Sequence, residues 1–127
     1  MLGIGPDGGQ WHIEVEHPLD EADSLFTATL DDSAIVTSSR LFRRWATSDG
    51  EAHHLIDPTT GASACSAVAA VVASARHAWY AEGIAKAAVG AGPQRGAAIA
   101  SQSDATCWFV LDNGDVIEIV EREPAPC

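Results

Sequence analysis

Apolar and polar side chains alternate most cleanly between Trp11 and Glu16, where Trp11, Ile13 and Val15 share one parity and His12, Glu14 and Glu16 the other. That period of two predicts a half-buried strand. Asp7-Gly8-Gly9 just before it is a turn signal, so the strand reads as the second arm of a hairpin whose first arm is nearly missing. Ser24 to Leu30 alternates again, Leu25, Thr27 and Thr29 against Phe26, Ala28 and Leu30, and Ile35-Val36-Thr37 is a short β-branched piece. Both favour strands. Between Arg40 and Ile56 the pair Asp49-Gly50 predicts a second hairpin, with a short helix over Ser39 to Trp45 as its competitor.

The stretch from Ser63 to Val89 supports two readings. Its alanines give high helix propensity throughout, while Val68, Val71 and Val72 are equally at home in a buried strand. From Ser74 onward Ala75, Ala78, Trp79, Ile84, Ala85, Ala88 and Val89 follow helical spacing, and Gly90 and Gly92-Pro93 end the helix. Cys107 to Leu111 and Val116 to Val120 form a hairpin with Asn113-Gly114 at its tip. Residues 121–127 read as a loose tail. No repeat or low-complexity linker interrupts the chain, so residues 1–127 are expected to form a single α+β domain, mostly antiparallel sheet with one main helix.

Composition narrows the function. The 127 residues carry 18 acidic and 7 basic side chains, a formal net charge of -11. A nucleic-acid binder needs a cationic stripe that this balance does not supply, and anionic membrane surfaces are disfavoured for the same reason. The longest apolar tract, around Ala67 to Ala73, is far below the ~18 to 20 residues of a membrane span. The first residues lack a basic n-region, an apolar h-region and a lipobox cysteine, so a soluble, cytoplasmic product is expected. Cys65, Cys107 and Cys127 form no CxxC pair; two buried small apolar residues and a frayed C-terminal thiol are expected.

In so acidic a chain, any phosphate site must sit where local cations reverse the field. Arg40, Arg43 and Arg44 are the sequence-local candidate, with a solvated face paired to carboxylates as the alternative. A second candidate is His53-His54-Leu55-Ile56-Asp57-Pro58-Thr59-Thr60-Gly61, which places imidazole, carboxylate, hydroxyls and backbone N–H groups around one bend. A His-His pair alone is more often structural, and His12, His17 and His77 are not spaced as further zinc ligands. Trp11, Trp45, Trp79 and Trp108 fall on apolar phases, so core packing is expected for at least three of them.

The succession V-T-S-S-R-L-F-R-R-W, H-H-L-I-D-P-T-T-G, A-V-A-A-V-V-A-S-A and A-E-G-I-A-K-A-A-V-G resembles the C-terminal half of the ApbE family, the FAD:protein FMN transferases. The similarity runs from about Trp11 to Leu111, and a typical member is more than twice as long. The resemblance therefore implies a C-terminal fragment of such an enzyme. It implies the C-terminal part of the ApbE fold, FAD as substrate, a divalent metal such as Mg²⁺, and transfer of FMN to a threonine of an acceptor flavoprotein with release of AMP. On matching positions it implies that Ser39, Arg40, His54, Ile56, Asp57 and Thr60 line the FAD site, with His54 positioning substrate or moving a proton.

One departure alters this expectation. Where the family often has an Asp and, four residues later, a Thr that together reach a metal, this chain has Glu82 and Lys86. Glutamate can ligate a metal; an ammonium cannot, and it would occupy the cation position as a point charge. Lys86 is equally readable as the partner of Glu82 in an i, i+4 ion pair. The alternative function is a catalytically inactive fragment that at most binds flavin nucleotide.

Overall fold

A computed structural model of the chain describes residues 5–120. In chain order the elements are β1 (Trp11–His17), β2 (Asp20–Leu30), β3 (Ala34–Ser39), β4 (Arg44–Thr47), β5 (Gly50–His53), β6 (Val68–Ala75), α1 (Ala78–Ala91), α2 (Pro93–Ser101), β7 (Thr106–Leu111) and β8 (Val116–Ile119). A four-stranded antiparallel sheet runs β3-β6-β7-β8, and β1-β2 and β4-β5 are separate two-stranded hairpins.

Strand β6 organises the rest. Every residue of it but Ser74 is buried, because α1 and α2 cover one face of the sheet and the β1-β2 hairpin covers the other. A strand covered on both faces must be apolar at both parities, so V-A-A-V-V-A-S-A carries no alternation to read. Parity still sorts its side chains. Val71, Ala73 and Ala75 join Phe109 and the helix residues Ala81, Ala85, Ala88 and Val89, whereas Val72 joins Val15, Ala28 and Leu30 under the hairpin. A register shift between Val68 and Ala70 returns Val68 to the helix side.

Alanines on the buried stripe of α1 bring the helix close to the sheet, and Gly96 does the same between the helices. A Cβ at Gly96 would lie 2.6 Å from the Ala88 carbonyl oxygen and 2.9 Å from Phe109 Cε1. The expected helix end at Gly92-Pro93 is present, but Pro93 also starts the unexpected α2. Proline at the first helical position loses no bond, since that N–H has no intrahelical acceptor anyway.

Other differences have equally local causes. Strand β1 pairs with β2, which follows it, while the supposed earlier arm falls on residues 1–4, outside the described residues, as does the tail at 121–127. The competing helix over Ser39 to Trp45 is not formed: residues 40–43 bend and Arg44 to Thr47 is strand. Trp11 and Trp108 pack under the β1-β2 hairpin, Trp108 with its ring centroid 4.6 Å from that of Phe26. Trp45 and Trp79 are 50% and 75% exposed, so two tryptophans serve the core and not three. Trp79 stands outside the Ala81, Ala85, Ala88 stripe, against His77 and Tyr80. Cys107 is buried, which pushes its thiol up to about 11, but Cys65 is exposed on the loop before β6. Among the described residues no helix is long and apolar enough to cross a membrane.

Candidate functional site

At the end of β3 the chain leaves the sheet through a bend made by Ser39. Its hydroxyl accepts from the Leu41 N–H at 3.0 Å and donates to the Ala69 carbonyl at 3.3 Å. The bend opens a cleft of about 280 Å³ whose walls include Ser38, Ser39, Arg43, His54, Glu82 and Lys86. Helix α1 supplies the last two from one turn apart, at the edge of its buried stripe.

Two consecutive histidines take opposite roles, and only the second lines this cleft. The buried His53 is tied on every side: its N–H donates to Ser63 Oγ at 2.9 Å, Nδ1 accepts from the Leu55 N–H at 3.3 Å, and Nε2 lies 3.0 Å from the Ala64 carbonyl. An accepting Nδ1 places the proton on Nε2, where it meets that carbonyl. His54 lines the cleft, and its buried Nδ1 has no hydrogen-bond partner among the described residues. Ser38 Oγ, on a residue only 4% exposed, is likewise buried and unpartnered. Buried polar atoms without partners are uncommon in folded proteins, and two of them border one cleft.

The cations are sorted by partner. Arg40 donates through Nε to the Val68 carbonyl at 3.1 Å and pairs with Asp112; Arg44 pairs with Glu51 at 3.0 Å. Arg43 has no carboxylate partner among the described residues and borders the cleft. Lys86, the only lysine, pairs with Glu82. No group of three His, Cys, Asp or Glu side chains among the described residues could hold a metal ion. Glu82, expected as a metal ligand, has its carboxylate paired with the ammonium four residues on, and the described residues supply no donor set that fits Mg²⁺.

Asp57 lies in a second cleft of about 360 Å³, with Ile56, Lys86 and Arg95 on its walls. Thr59 donates to Asp57 Oδ1 through its hydroxyl at 2.7 Å and its N–H at 2.8 Å, while the Asp57 carbonyl accepts the Gly61 N–H at 2.8 Å. Gly61 closes this turn at φ +71°, a conformation that favours glycine. The Thr59 hydroxyl and N–H, with Arg95 adding a smaller attraction, hold the Asp57 carboxyl below its ordinary range.

Of the residues singled out by sequence, Ser39, His54 and Glu82 share the first cleft. Ile56 and Asp57 share the second, and Lys86 borders both. Arg40 instead faces a groove with His53, Cys65 and Asp112, and the Thr60 hydroxyl accepts the Ala62 N–H at 3.3 Å in the turn. Ser38 and Arg95 were not anticipated. The T-S-S run held the signal for Ser38, since it ends a strand with two hydroxyls on opposite parities; Arg95, far along the chain, had none.

A fold with an antiparallel sheet, two covering helices and the His54-x-x-Asp57-Pro58-x-Thr60-Gly61 turn beside a polar cleft defines the ApbE class of architecture. The ApbE family model matches residues 1–110, and the chain belongs to the ApbE family. A FAD:protein FMN transferase of Vibrio cholerae is 30% identical over 117 residues, covering 91% of this chain and 35% of that protein. The ApbE protein of Thermotoga maritima superposes with TM-score 0.74 at 27% identity, over 85% of this chain and 35% of its own. The Vibrio cholerae flavin transferase ApbE superposes with TM-score 0.67 at 27% identity, over 94% of this chain and 38% of its own. The chain thus spans little more than a third of the length of these relatives.

Proposed function

We propose that the chain forms the part of a flavin transferase that holds FAD, in a reaction that moves FMN onto a threonine of an acceptor flavoprotein. The observation that carries this reading is the pair of buried, unpartnered atoms, His54 Nδ1 and Ser38 Oγ, beside Arg43 and Lys86 in the cleft next to the family motif. Cations and neutral hydrogen-bonding groups converging in a cleft suit the phosphates of a nucleotide. Family membership and the names of the relatives support flavin as that nucleotide.

In the proposed step the threonine hydroxyl oxygen attacks the flavin-side phosphorus of FAD. The bond from that phosphorus to the bridging oxygen breaks, AMP leaves with the bridging oxygen, and the hydroxyl proton passes to a base. Such transfers rest on positioning and charge stabilisation more than on covalent help from the protein. Arg43 and Lys86 stabilise the charge on the phosphate oxygens, and the imidazole of His54 orients the phosphate or takes the proton. Asp57, held by Thr59, shapes the turn beside the nucleotide. No step is assigned to a metal.

The test is purified chain mixed with FAD and an acceptor flavoprotein, with and without Mg²⁺. A covalently fluorescent acceptor and free AMP are expected; absence of both overturns the transferase reading. Asp57→Ala is expected to abolish FAD retention while the protein stays soluble, and unchanged flavin affinity would show the motif to be misplaced. The Glu82–Lys86 pair favours a second reading, flavin binding without transfer, which the same experiment separates because FAD would then be retained and no AMP released.

A further inference from the structure

Cleft chemistry divides metal-assisted from metal-free phosphate sites. A divalent cation is held by carboxylates that remain free to ligate, whereas an anion is held by cations and hydrogen-bond donors. Among the described residues around the Ser38–His54 cleft the one carboxylate, Glu82, is already paired with Lys86, and Arg43 adds a positive charge with no carboxylate opposite it. Counting Arg43 and Lys86 against Glu82, the wall carries net positive charge in a chain of net charge -11. The hydroxyl of Ser38 is buried and unpartnered, as is Nδ1 of His54, and each can donate to a phosphate oxygen, the imidazole in the tautomer that protonates Nδ1.

We infer that this cleft binds the diphosphate of its nucleotide without a divalent cation, Lys86 and Arg43 supplying the positive charge and Ser38 and His54 the hydrogen bonds. The inference rests on the flavin-nucleotide reading for the identity of the ligand, but its charge logic applies to any diphosphate. Glu82 then has a role opposite in sign to that of a metal ligand: it holds Lys86 in place and competes with the phosphates for its ammonium. Half-exposed side chains on both partners let the lysine exchange one oxygen ligand for another at small cost.

Binding of inorganic pyrophosphate and of FAD to the full chain, measured by calorimetry and flavin fluorescence in EDTA and again with excess Mg²⁺, tests this. Both ligands are expected to bind in EDTA, with affinities that Mg²⁺ does not improve. Lys86→Met and Arg43→Gln are each expected to weaken pyrophosphate binding in EDTA about tenfold, the loss of one charge-assisted bond. Glu82→Gln is expected to tighten it about two- to fivefold by releasing Lys86, with circular dichroism confirming an unchanged fold. Binding that requires Mg²⁺, or a Glu82→Gln variant that loses binding, overturns the inference and leaves the flavin reading standing. Pyrophosphate bound in EDTA by a protein that does not bind FAD supports the metal-free site and overturns the flavin reading. Failure of both ligands under both conditions overturns both.

Discussion

The helix side of the sheet and the cleft at the end of β3 lie against the same helix, yet they are built on opposite terms. On the helix side Val68, Val71, Ala85, Ala88 and Phe109 are at most 1% exposed, and Gly96 leaves no space for a methyl group. In the cleft, two buried polar atoms have no partner and a cation stands without a carboxylate among the described residues. The contrast teaches where the protein satisfies its own groups and where it leaves them for something else. Stability resides in the first region, so changes there should unfold the protein, while changes in the cleft should alter binding and leave the fold intact.

The largest effect is expected from Phe109→Ala, which empties the centre of the helix-side core and should cost about 3 to 5 kcal/mol by urea denaturation. A loss below 1 kcal/mol would show that core to be loosely packed. Gly96→Ala should cost about 1 to 3 kcal/mol, because the new methyl meets backbone that cannot give way as a side chain would. The two histidines sharpen the comparison further. His53→Ala removes a ring bonded to Ala64 and Leu55 and should destabilise by about 1 to 3 kcal/mol, whereas His54→Ala should stay within about 0.5 kcal/mol and lose flavin affinity instead. Equal destabilisation by the two would erase the distinction between core and cleft.

The smallest effect is a pH dependence. The Asp57 carboxyl is held below its ordinary range when folded, so its contribution is fully present above the unfolded value and is lost as pH falls through the lower, folded one. Wild type should therefore lose more stability than Asp57→Asn between about pH 5 and pH 2, with Asp57 exposed enough to keep the difference small. Superimposable pH curves would show that the Thr59 contacts do not select the ionised form.

Local chemistry was legible wherever one turn or one strand parity decided the outcome. The alternation at Trp11 to Glu16, the Asp49-Gly50 turn and the Asn113-Gly114 tip all appear as β1, the β4-β5 hairpin and the β7-β8 hairpin. His54 and Asp57 were legible because the Asp-Pro and Thr-Thr-Gly bend concentrates its groups in a few residues. Ser38, Arg95 and the choice among three arginines were not, since ion pairing with Asp112 or Glu51 depends on residues brought near only by folding. Trp79 was misread because helical spacing states which residues share a face and not which face the sheet will cover.

By itself the sequence determined the family, the antiparallel hairpins, the end of α1 and the acidic field in which a phosphate site must be made locally positive. Tertiary structure alone decided that β6 is a strand covered on both sides, that Pro93 opens a second helix, and that Arg43 and Lys86 are the cations facing the Ser38–His54 cleft. The physical reason is one of range. Turns and strand parity are set by neighbouring residues, whereas burial, and the partner that neutralises a charge, are set by residues far apart in the chain and close only in the fold.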